Sequence, residues 1–322
     1  MNFALREVLV YALFGFVVAA AAGAVLLLFL GRLHVRQHAY EDAPRTHQGK
    51  TGTPTMGGLV FVVVLLAALA TVHISLFTDL VLLVVLCAGI GAIDDLLMVR
   101  GAVTRGLPAR TKFLATALAA VIFMRAIDAA WGSLPRDVLF HAGSFALVAP
   151  HWLWLLLGIA AITGTIHAVN LTDGLDGLAA GTMIPPLLVF ATIAVTVQIP
   201  AAAVGAAIGV GACAGFLIFN RHPARLFMGD TGSLALGALL SGVAILTGEM
   251  LLLLIVGAVF VSEALSVILQ VSYFKLTGGK RILRMSPLHH HFEEAGWPEM
   301  KVTLRFWLAS VLASLLGWAI VR

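Results

Sequence analysis

The sequence predicts an all-α integral membrane protein that forms a single polytopic domain over residues 1–322. Apolar residues make up 61% of the chain and charged residues only 11%, whereas a soluble domain carries about 25% charged residues. The apolar residues gather in runs of about 20, the length of a membrane-spanning helix. An outer-membrane β-barrel would instead show alternating segments of about 10 residues.

Ten apolar runs are candidates for transmembrane helices. The fourth is interrupted near its far end by Arg125 and Asp128, and the eighth has only 15 residues. Neighbouring helices can shield the ends of a short span, so both are kept. The predicted spans are residues 8–30, 57–76, 80–97, 113–130, 152–169, 179–199, 201–219, 233–247, 251–274 and 302–321.

The distribution of Lys and Arg sets the predicted orientation. With the N-terminus on the outer (periplasmic) side, 16 of the 20 basic residues fall in or beside cytoplasmic loops, where such residues collect. Removing the fourth span would move Arg221 and Arg225 outside. The even count is therefore preferred, and both termini are expected on the outer side.

Five aspartates share one predicted depth, at the cytoplasmic ends of spans. They are Asp94, Asp95, Asp173, Asp176 and Asp230. Ionised carboxylates are costly near hydrocarbon, and residues that only solvate a loop would be scattered and would include Glu. The sequence therefore predicts a functional site at the cytoplasmic face.

The stretch "HQGKTGTPTMGG", residues 47–58, places Gly and Pro around Lys50 just before the second span. Glycine lets a backbone approach a phosphate closely, and lysine supplies a compact cation. The spacing is not that of a nucleotide-binding P-loop. The alternative interpretation is a flexible loop that enters a helix.

The stretch "NLTDGLDG", residues 170–177, repeats Asp-Gly at an interval of three. These turns aim Asp173, Asp176 and the Asn170 amide into one small volume, which suits a polar ligand or water-bridged Mg²⁺. Two ordinary turns before the next helix are the alternative.

In "FNRHPARLFMGDTGS", residues 219–233, Asp230 stands between two glycines where the eighth span starts. It is either an N-cap or a carboxylate that holds a metal. Phe227 offers an aromatic face on which a base could stack.

Three consecutive histidines occur in "SPLHHHFE", residues 286–293. Their spacing is not typical of zinc sites, so they are either hydrogen-bond donors to phosphate oxygens or a surface run without function. In the ninth span, Glu263 and Gln270 lie on one helical face. They either line a lipid groove or are paired within the bundle.

Carboxylates that hold Mg²⁺, cationic donors and an in-line nucleophile are what phosphoryl transfer requires. A site at the membrane surface can meet one water-soluble and one lipid substrate. A secondary transporter is the alternative from another class, but its ionisable residues should lie near the middle of the membrane.

Taken in order, "TGTPTMGG", "DD", "NLTDGLDG", "FMGDTGSLALG" and "SPLHHHFE" resemble the motifs of the polyprenyl-phosphate N-acetylhexosamine-1-phosphate transferases. The resemblance covers most of the chain. It is strongest to the branch that moves phospho-MurNAc-pentapeptide from UDP-MurNAc-pentapeptide to undecaprenyl phosphate and releases UMP. It implies ten transmembrane helices, a homodimer, Mg²⁺ dependence, the bacterial cytoplasmic (inner) membrane and no nucleic-acid partner. A sibling enzyme that uses UDP-GlcNAc is the alternative.

The resemblance also implies roles for particular residues. Asp230 matches the Mg²⁺ ligand, and Asp94 and Asp95 are further candidate ligands. Met98 departs from the family pattern, which often has Lys there, and Arg100 or Lys112 is expected to compensate. The implied catalytic residues are Asp94, Asp95, Asp230 and His289, and the implied substrate-binding residues are Lys50, Lys112, Asn170, Asp173, Asp176, Asn220, Phe227, His290 and His291.

Overall fold

The computed structural model describes residues 5–33, 52–99, 106–130 and 137–322. Lys50 and Arg100 lie outside these ranges. Within them the chain forms the helices α1 (Leu5–Leu33), α2 (Leu59–Leu69), α3 (Ser75–Val99), α4 (Ala109–Ala129), α5 (His151–Thr172), α6 (Leu178–Thr196), α7 (Pro200–Asn220), α8 (Gly229–Thr247), α9 (Leu253–Val256), α10 (Ala258–Leu276), α11 (Leu288–Glu294) and α12 (Glu299–Val321).

A helix coincides with each predicted span, and eight of the helices in the described ranges are long and apolar enough to cross a membrane. Helix α2 has 11 residues. Helix α4 has 21 residues but includes four charged ones, Arg110, Lys112, Arg125 and Asp128. The prediction of a helical multi-pass membrane protein is confirmed.

Most predicted boundaries differ by a few residues from the observed helices; α3, for example, begins at Ser75 rather than at 80. The second span ends seven residues early, at Leu69, and the eighth begins early, at Gly229. The ninth is broken: a 3₁₀ turn at Met250–Leu252 and the short α9 precede α10, and Gly257 lies at the break. The stretch 275–301, expected to be a loop, contains α11 and the start of α12.

A β-hairpin connects α4 to α5 and was not predicted. Strands β1 (Val138–Ala142) and β2 (Phe145–Val148) pair antiparallel. The turn between them includes Gly143 at φ 57°, a left-handed conformation that glycine adopts without strain.

Helices α7 and α8 form the centre of the bundle. In the most apolar 18-residue stretch of each helix, 78% of the residues of α7 and 89% of those of α8 are buried, whereas the value is 22% for both α1 and α12. Small residues allow the close packing: a Cβ on Gly211 of α7 would collide with the carbonyl of Ala12 on α1. Packing of this kind is typical of membrane helices, which gain little from burying apolar groups against each other.

Close approach of α3 to α8 positions the acidic residues. A Cβ on Gly91 of α3 would collide with the backbone of Asp230, at the start of α8. Because Asp94 and Asp95 lie one turn further along α3, this contact brings both carboxylates to the N-terminus of α8.

Candidate active site

Three aspartates meet where α3 ends and α8 begins. One carboxylate oxygen from each of Asp94, Asp95 and Asp230 lies within 4.8 Å of the other two. Asp94 and Asp95 are only 1% exposed. The structure therefore brings together three of the five predicted aspartates, although 135 residues separate Asp95 from Asp230. Asp176 belongs to a separate group, so the prediction that it shares one small volume with Asn170 was wrong.

Asp95 holds the N-terminus of α8. Its carboxylate accepts the backbone N–H groups of Asp230 and Thr231, both at 3.0 Å, and the Thr231 hydroxyl at 2.6 Å. The first N–H groups of a helix have no partner inside it, so Asp95 caps α8 from another helix. The interpretation of Asp230 as the N-cap was wrong, because the N-cap of α8 is Met228 and Asp230 lies inside the first turn.

A lysine occupies the space between the other two carboxylates. Lys112 Nζ lies 2.8 Å from Asp230 Oδ2 and 3.4 Å from Asp94 Oδ1. Asp94 Oδ1 also accepts the Leu107 N–H at 2.5 Å. A buried carboxylate pair needs a positive charge nearby, and Lys112 supplies it. This is the lysine expected to compensate for Met98.

Asn170, at the end of α5, completes the group around Asp230. Its Nδ2 donates to Asp230 Oδ1 and to Ser233 Oγ, both at 2.9 Å. Ser233 was not predicted, although its position three residues after Asp230 on α8 was a usable signal.

Oxygen donors of this kind suit a divalent cation such as Mg²⁺, which binds carboxylates and substrate phosphates. Asp230 and Asp94 are the residues best placed to hold it, since a cationic group already lies between them. The two oxygens of Asp95 are used by α8.

A second group surrounds Asp176. Its Oδ2 lies 3.1 Å from His222 Nδ1 and accepts the Ala224 N–H at 3.0 Å. Glu299 of α12 accepts the Asp176 N–H at 2.8 Å. His222 and Glu299 were not predicted. Glu299 is 123 residues away, and no local pattern could connect the two.

Asn220 joins two loops. Its Oδ1 accepts the Gly177 N–H at 3.1 Å and its Nδ2 donates to the Leu226 carbonyl at 3.0 Å. The amide is 3% exposed. Both ends of this side chain therefore bond to backbone, which fixes the loop that follows Asp176.

Phe227 is half-buried and lies just before the glycines that flank Asp230. Its N–H donates to the Pro54 carbonyl and its carbonyl accepts the Gly57 N–H, both at 2.8 Å. The described end of the first motif, residues 52–58, thus pairs with the segment that leads into α8. Asp173 is the C-cap residue of α5, three residues after Asn170.

The three histidines of α11 point in different directions, because successive residues on a helix are about 100° apart. His289 is fully buried and lies against Gly174, where a Cβ would collide with the ring. His290 Nδ1 is 2.7 Å from Glu293. His291 Nδ1 accepts the Arg284 N–H at 3.1 Å. The interpretation as a surface run is wrong for His289.

The loop 173–177 links these groups. It follows Asn170, which bonds to Asp230, carries Gly174 beside His289, and ends with Asp176 and Gly177 against α12. The loop 173–177 therefore connects the aspartate cluster, through Asn170, with α11 and α12.

The chain is similar along most of its length to known proteins of one family. Residues 77–248 match the family described as glycosyl transferase family 4. The phospho-N-acetylmuramoyl-pentapeptide-transferase of Heliobacterium modesticaldum is 46% identical over 308 residues, 94% of this chain and 95% of that protein. Those of Halalkalibacterium halodurans and Desulforudis audaxviator are 41% and 43% identical, each over 97% of both chains. The chain therefore belongs to glycosyl transferase family 4 and, within it, to the phospho-N-acetylmuramoyl-pentapeptide transferases.

Proposed function

We propose that this protein transfers phospho-MurNAc-pentapeptide from UDP-MurNAc-pentapeptide to undecaprenyl phosphate, with release of UMP. The product is undecaprenyl-diphospho-MurNAc-pentapeptide, known as lipid I, a precursor of peptidoglycan. Full-length similarity to transferases of this name supports the activity. The observation that carries the proposal is the carboxylate cluster of Asp94, Asp95 and Asp230 with a lysine at its centre.

Mg²⁺ is the proposed cofactor, held by Asp230 with Asp94 beside it. Bound there, it would neutralise charge on the diphosphate oxygens. Lys112 contacts both carboxylates and partly balances their charge. With substrate bound, Lys112 is free to donate to a phosphate oxygen.

The reaction is a single displacement in this proposal. An oxygen of undecaprenyl phosphate attacks the phosphorus that bears the sugar, the bond from that phosphorus to the UMP oxygen breaks, and UMP leaves. A phosphomonoester with a second pKa of about 6 is mostly a dianion at neutral pH. Asp94 orients the carrier phosphate and accepts its residual proton, while Asp95 fixes the helix that bears Asp230.

The competing scheme makes an aspartate the covalent nucleophile, which gives a phospho-enzyme. The single displacement is preferred because the dianionic carrier phosphate is itself a competent nucleophile. Incubation with a labelled donor in the absence of lipid carrier decides between them. A labelled phosphosugar covalently attached to the protein would overturn the single displacement.

The nucleotide-sugar is proposed to bind along the loop 173–177. Asp173, Asp176, Asn220 and Phe227 are assigned to the nucleotide side, and the loop contacts support this by joining their segments. The family motifs assign further residues to the same substrate: Lys50, Lys112, Asn170, His290 and His291. His289 is assigned to the catalytic set with the three aspartates.

In the proposed arrangement the protein is one polytopic domain in the bacterial cytoplasmic (inner) membrane, with ten crossings, both termini outside and the site on the cytoplasmic side. The concentration of Lys and Arg on one side supports this orientation. The protein is also proposed to be a homodimer, as the family resemblance implies.

The test is Mg²⁺-dependent release of UMP by the detergent-solubilised protein with undecaprenyl phosphate. We expect release with UDP-MurNAc-pentapeptide and none without Mg²⁺. Release with UDP-GlcNAc in its place would assign the sibling activity instead. Absence of UMP with either donor would contradict the transferase function and favour a transporter.

A further inference from the structure

A glutamate and a histidine face each other in the interior, outside the aspartate cluster. Glu263 lies on α10 and His289 in the first turn of α11, and both side chains are at most 1% exposed. Glu263 Oε1 accepts the His289 N–H at 3.1 Å and lies 3.1 Å from His289 Nδ1. Of the two interpretations of Glu263, the structure supports pairing within the bundle. Gln270 likewise bonds to the backbone of Ile282 and Leu283.

Three polar atoms of this pair have no hydrogen-bond partner among the described residues: Glu263 Oε2, His289 Nδ1 and His289 Nε2. Nδ1 is within hydrogen-bond distance of Oε1, but the contact lacks hydrogen-bond direction. The contact between Nδ1 and Oε1 is therefore electrostatic only. Buried polar atoms without partners are rare in folded proteins, so this pair requires an explanation other than stability.

The second ring nitrogen points toward the substrate loop. A Cβ atom added to Gly174 would collide with Nε2 of His289, so Nε2 lies directly against the backbone of Gly174. Gly174 lies in the loop 173–177, between the residues assigned to the nucleotide-sugar. Nε2 is therefore the unpartnered atom of the pair on the side of the proposed substrate.

We propose that Glu263 is a positioning residue that sets the tautomer of His289. A carboxylate offers only acceptor atoms, and a neutral imidazole carries its hydrogen on one nitrogen only. With Nδ1–H directed to Glu263, Nε2 is left as an acceptor. It then accepts a hydrogen bond from a hydroxyl or the acetamido N–H of the bound N-acetyl sugar.

The loop must shift for Nε2 to meet the substrate. Gly174, which lacks a side chain, allows this movement at one point of the loop, while Gly177 stays bonded to Asn220 and Trp307. The inference rests on the proposed transferase function, since it names the group of that substrate that His289 contacts.

The test compares two substitutions of Glu263 in the full-length protein. Glu263→Met removes the acceptor at similar volume, and Glu263→Gln keeps a carbonyl acceptor. We expect Glu263→Met to lower kcat about 10- to 100-fold with little change in KM, and to lower the unfolding temperature because the buried His289 N–H loses its acceptor. Glu263→Gln should remain near wild type. If Glu263 had a purely structural role, Glu263→Met and Glu263→Gln would have the same kcat at a temperature at which both are folded.

Glu249→Met is the matched control. Glu249 is also a buried glutamate paired with a histidine, His141, at 2.9 Å, but it lies beyond the opposite end of α8 from Asp230. The kcat of Glu249→Met should equal that of the wild type. Wild-type UMP release measured alongside shows whether the proposed function itself holds.

A second readout requires no turnover. Nitrogen-15 NMR of the His289 ring at pH 8 should show hydrogen on Nδ1 in wild type and a shift to Nε2 in Glu263→Met. An Nε2–H tautomer in wild type would overturn the proposal even if Glu263→Met fails to fold. So would a wild-type kcat in Glu263→Met, or an equal loss in Glu263→Gln.

Discussion

Asp95 shows how a single residue can hold the backbone of another helix in place. Its carboxylate receives three hydrogen bonds from the first turn of α8, and a carboxylate also interacts favourably with the positive end of a helix. The position of Asp230 therefore depends on Asp95. The adjacent aspartates of the "DD" motif have different tasks: Asp95 anchors a helix, and Asp94 faces Lys112.

Replacing Asp95 with Ala should lower the free energy of unfolding by about 2–3 kcal/mol. The reason is that a charged acceptor is lost and buried N–H groups of α8 are left unpaired. Thermal unfolding in detergent measures the change. Asp79→Ala, near the other end of α3, is the control and should have a smaller effect. Equal shifts in the two variants would contradict the capping role.

The sequence predicted the residues of the aspartate cluster because each lies in a recognisable local motif. It did not predict His222, Glu299 or the pairing of Glu263 with His289. These contacts join positions 26 to 123 residues apart, and a single sequence carries no local signal for such pairs. Ser233 is different, because its spacing from Asp230 on one helix made it predictable.

At the scale of elements, one face of α12 contacts the loop 173–177 and holds its backbone. Glu299, Thr303 and Trp307 follow each other at intervals of four, which places them on one side of the helix. Glu299 accepts the Asp176 N–H, and the Trp307 indole N–H donates to the Gly177 carbonyl at 3.1 Å. Gly181 leaves room for the indole ring. Helix α12 thus fixes the backbone of the loop 173–177.

Substituting Trp307 with Phe keeps an aromatic ring but removes the indole N–H. The loss of one hydrogen bond of about 1 kcal/mol should raise KM for UDP-MurNAc-pentapeptide about fivefold. The kcat should change less, because the aspartate cluster is untouched. Steady-state UMP release measures both constants. The control Trp318→Phe, further along α12, should leave KM unaltered. If Trp307→Phe had the KM of the wild type, the claim that Trp307 holds the loop 173–177 would be refuted.

The β-hairpin is attached to the bundle by His141 and Glu249. Glu249 Oε2 accepts the His141 N–H at 3.1 Å, and Oε1 lies 2.9 Å from Nδ1. Burial raises the pKa of the Glu249 carboxyl, and the contacts with His141 partly oppose the rise. Since the raised pKa belongs to the folded state, stability from this group is highest below the ordinary value of 4.5 and falls as pH rises through the raised value.

His141→Ala should therefore destabilise the protein by about 1–3 kcal/mol, and by more at pH 8 than at pH 5. At the higher pH the buried carboxylate is ionised and lacks its imidazole partner. Unfolding temperatures at the two pH values provide the measurement. The double variant His141→Ala/Glu249→Gln serves as control and should lose the pH difference. A larger deficit at pH 5 would disprove the assignment.

The elements themselves were predictable to different degrees. Runs of apolar residues predicted the helices, but the break near Gly257 lies within a continuous apolar run and was missed. The hairpin was missed because β2 is exposed along its length and shows no alternation of apolar and polar residues.

At the scale of the whole molecule, the site lies at one end of the bundle and the hairpin at the other. Helix α8 runs from Asp230 to the turn that contains Glu249, so the two regions face opposite sides of the membrane in the proposed topology. This separation is what allows one helix bundle to present a polar site to one compartment only.

Cysteine labelling in intact cells tests that topology. Ser144→Cys in the hairpin turn should react with a membrane-impermeant maleimide from outside, whereas Lys280→Cys, after α10, should react only after permeabilisation. Both native cysteines, Cys87 and Cys213, are buried, which keeps the background low. Labelling of both positions from the same side would contradict the ten-crossing arrangement.

The central claim is that Asp94 and Asp230 hold one divalent cation where Lys112 now lies. Electron paramagnetic resonance of Mn²⁺ added to the detergent-solubilised protein measures this binding directly. We expect one Mg²⁺-competed Mn²⁺ per chain, affinity at least about tenfold weaker in Asp230→Asn, and tighter binding in Lys112→Met, which lacks the competing ammonium group. Unchanged Mn²⁺ affinity in Asp230→Asn and Asp94→Asn would contradict the account.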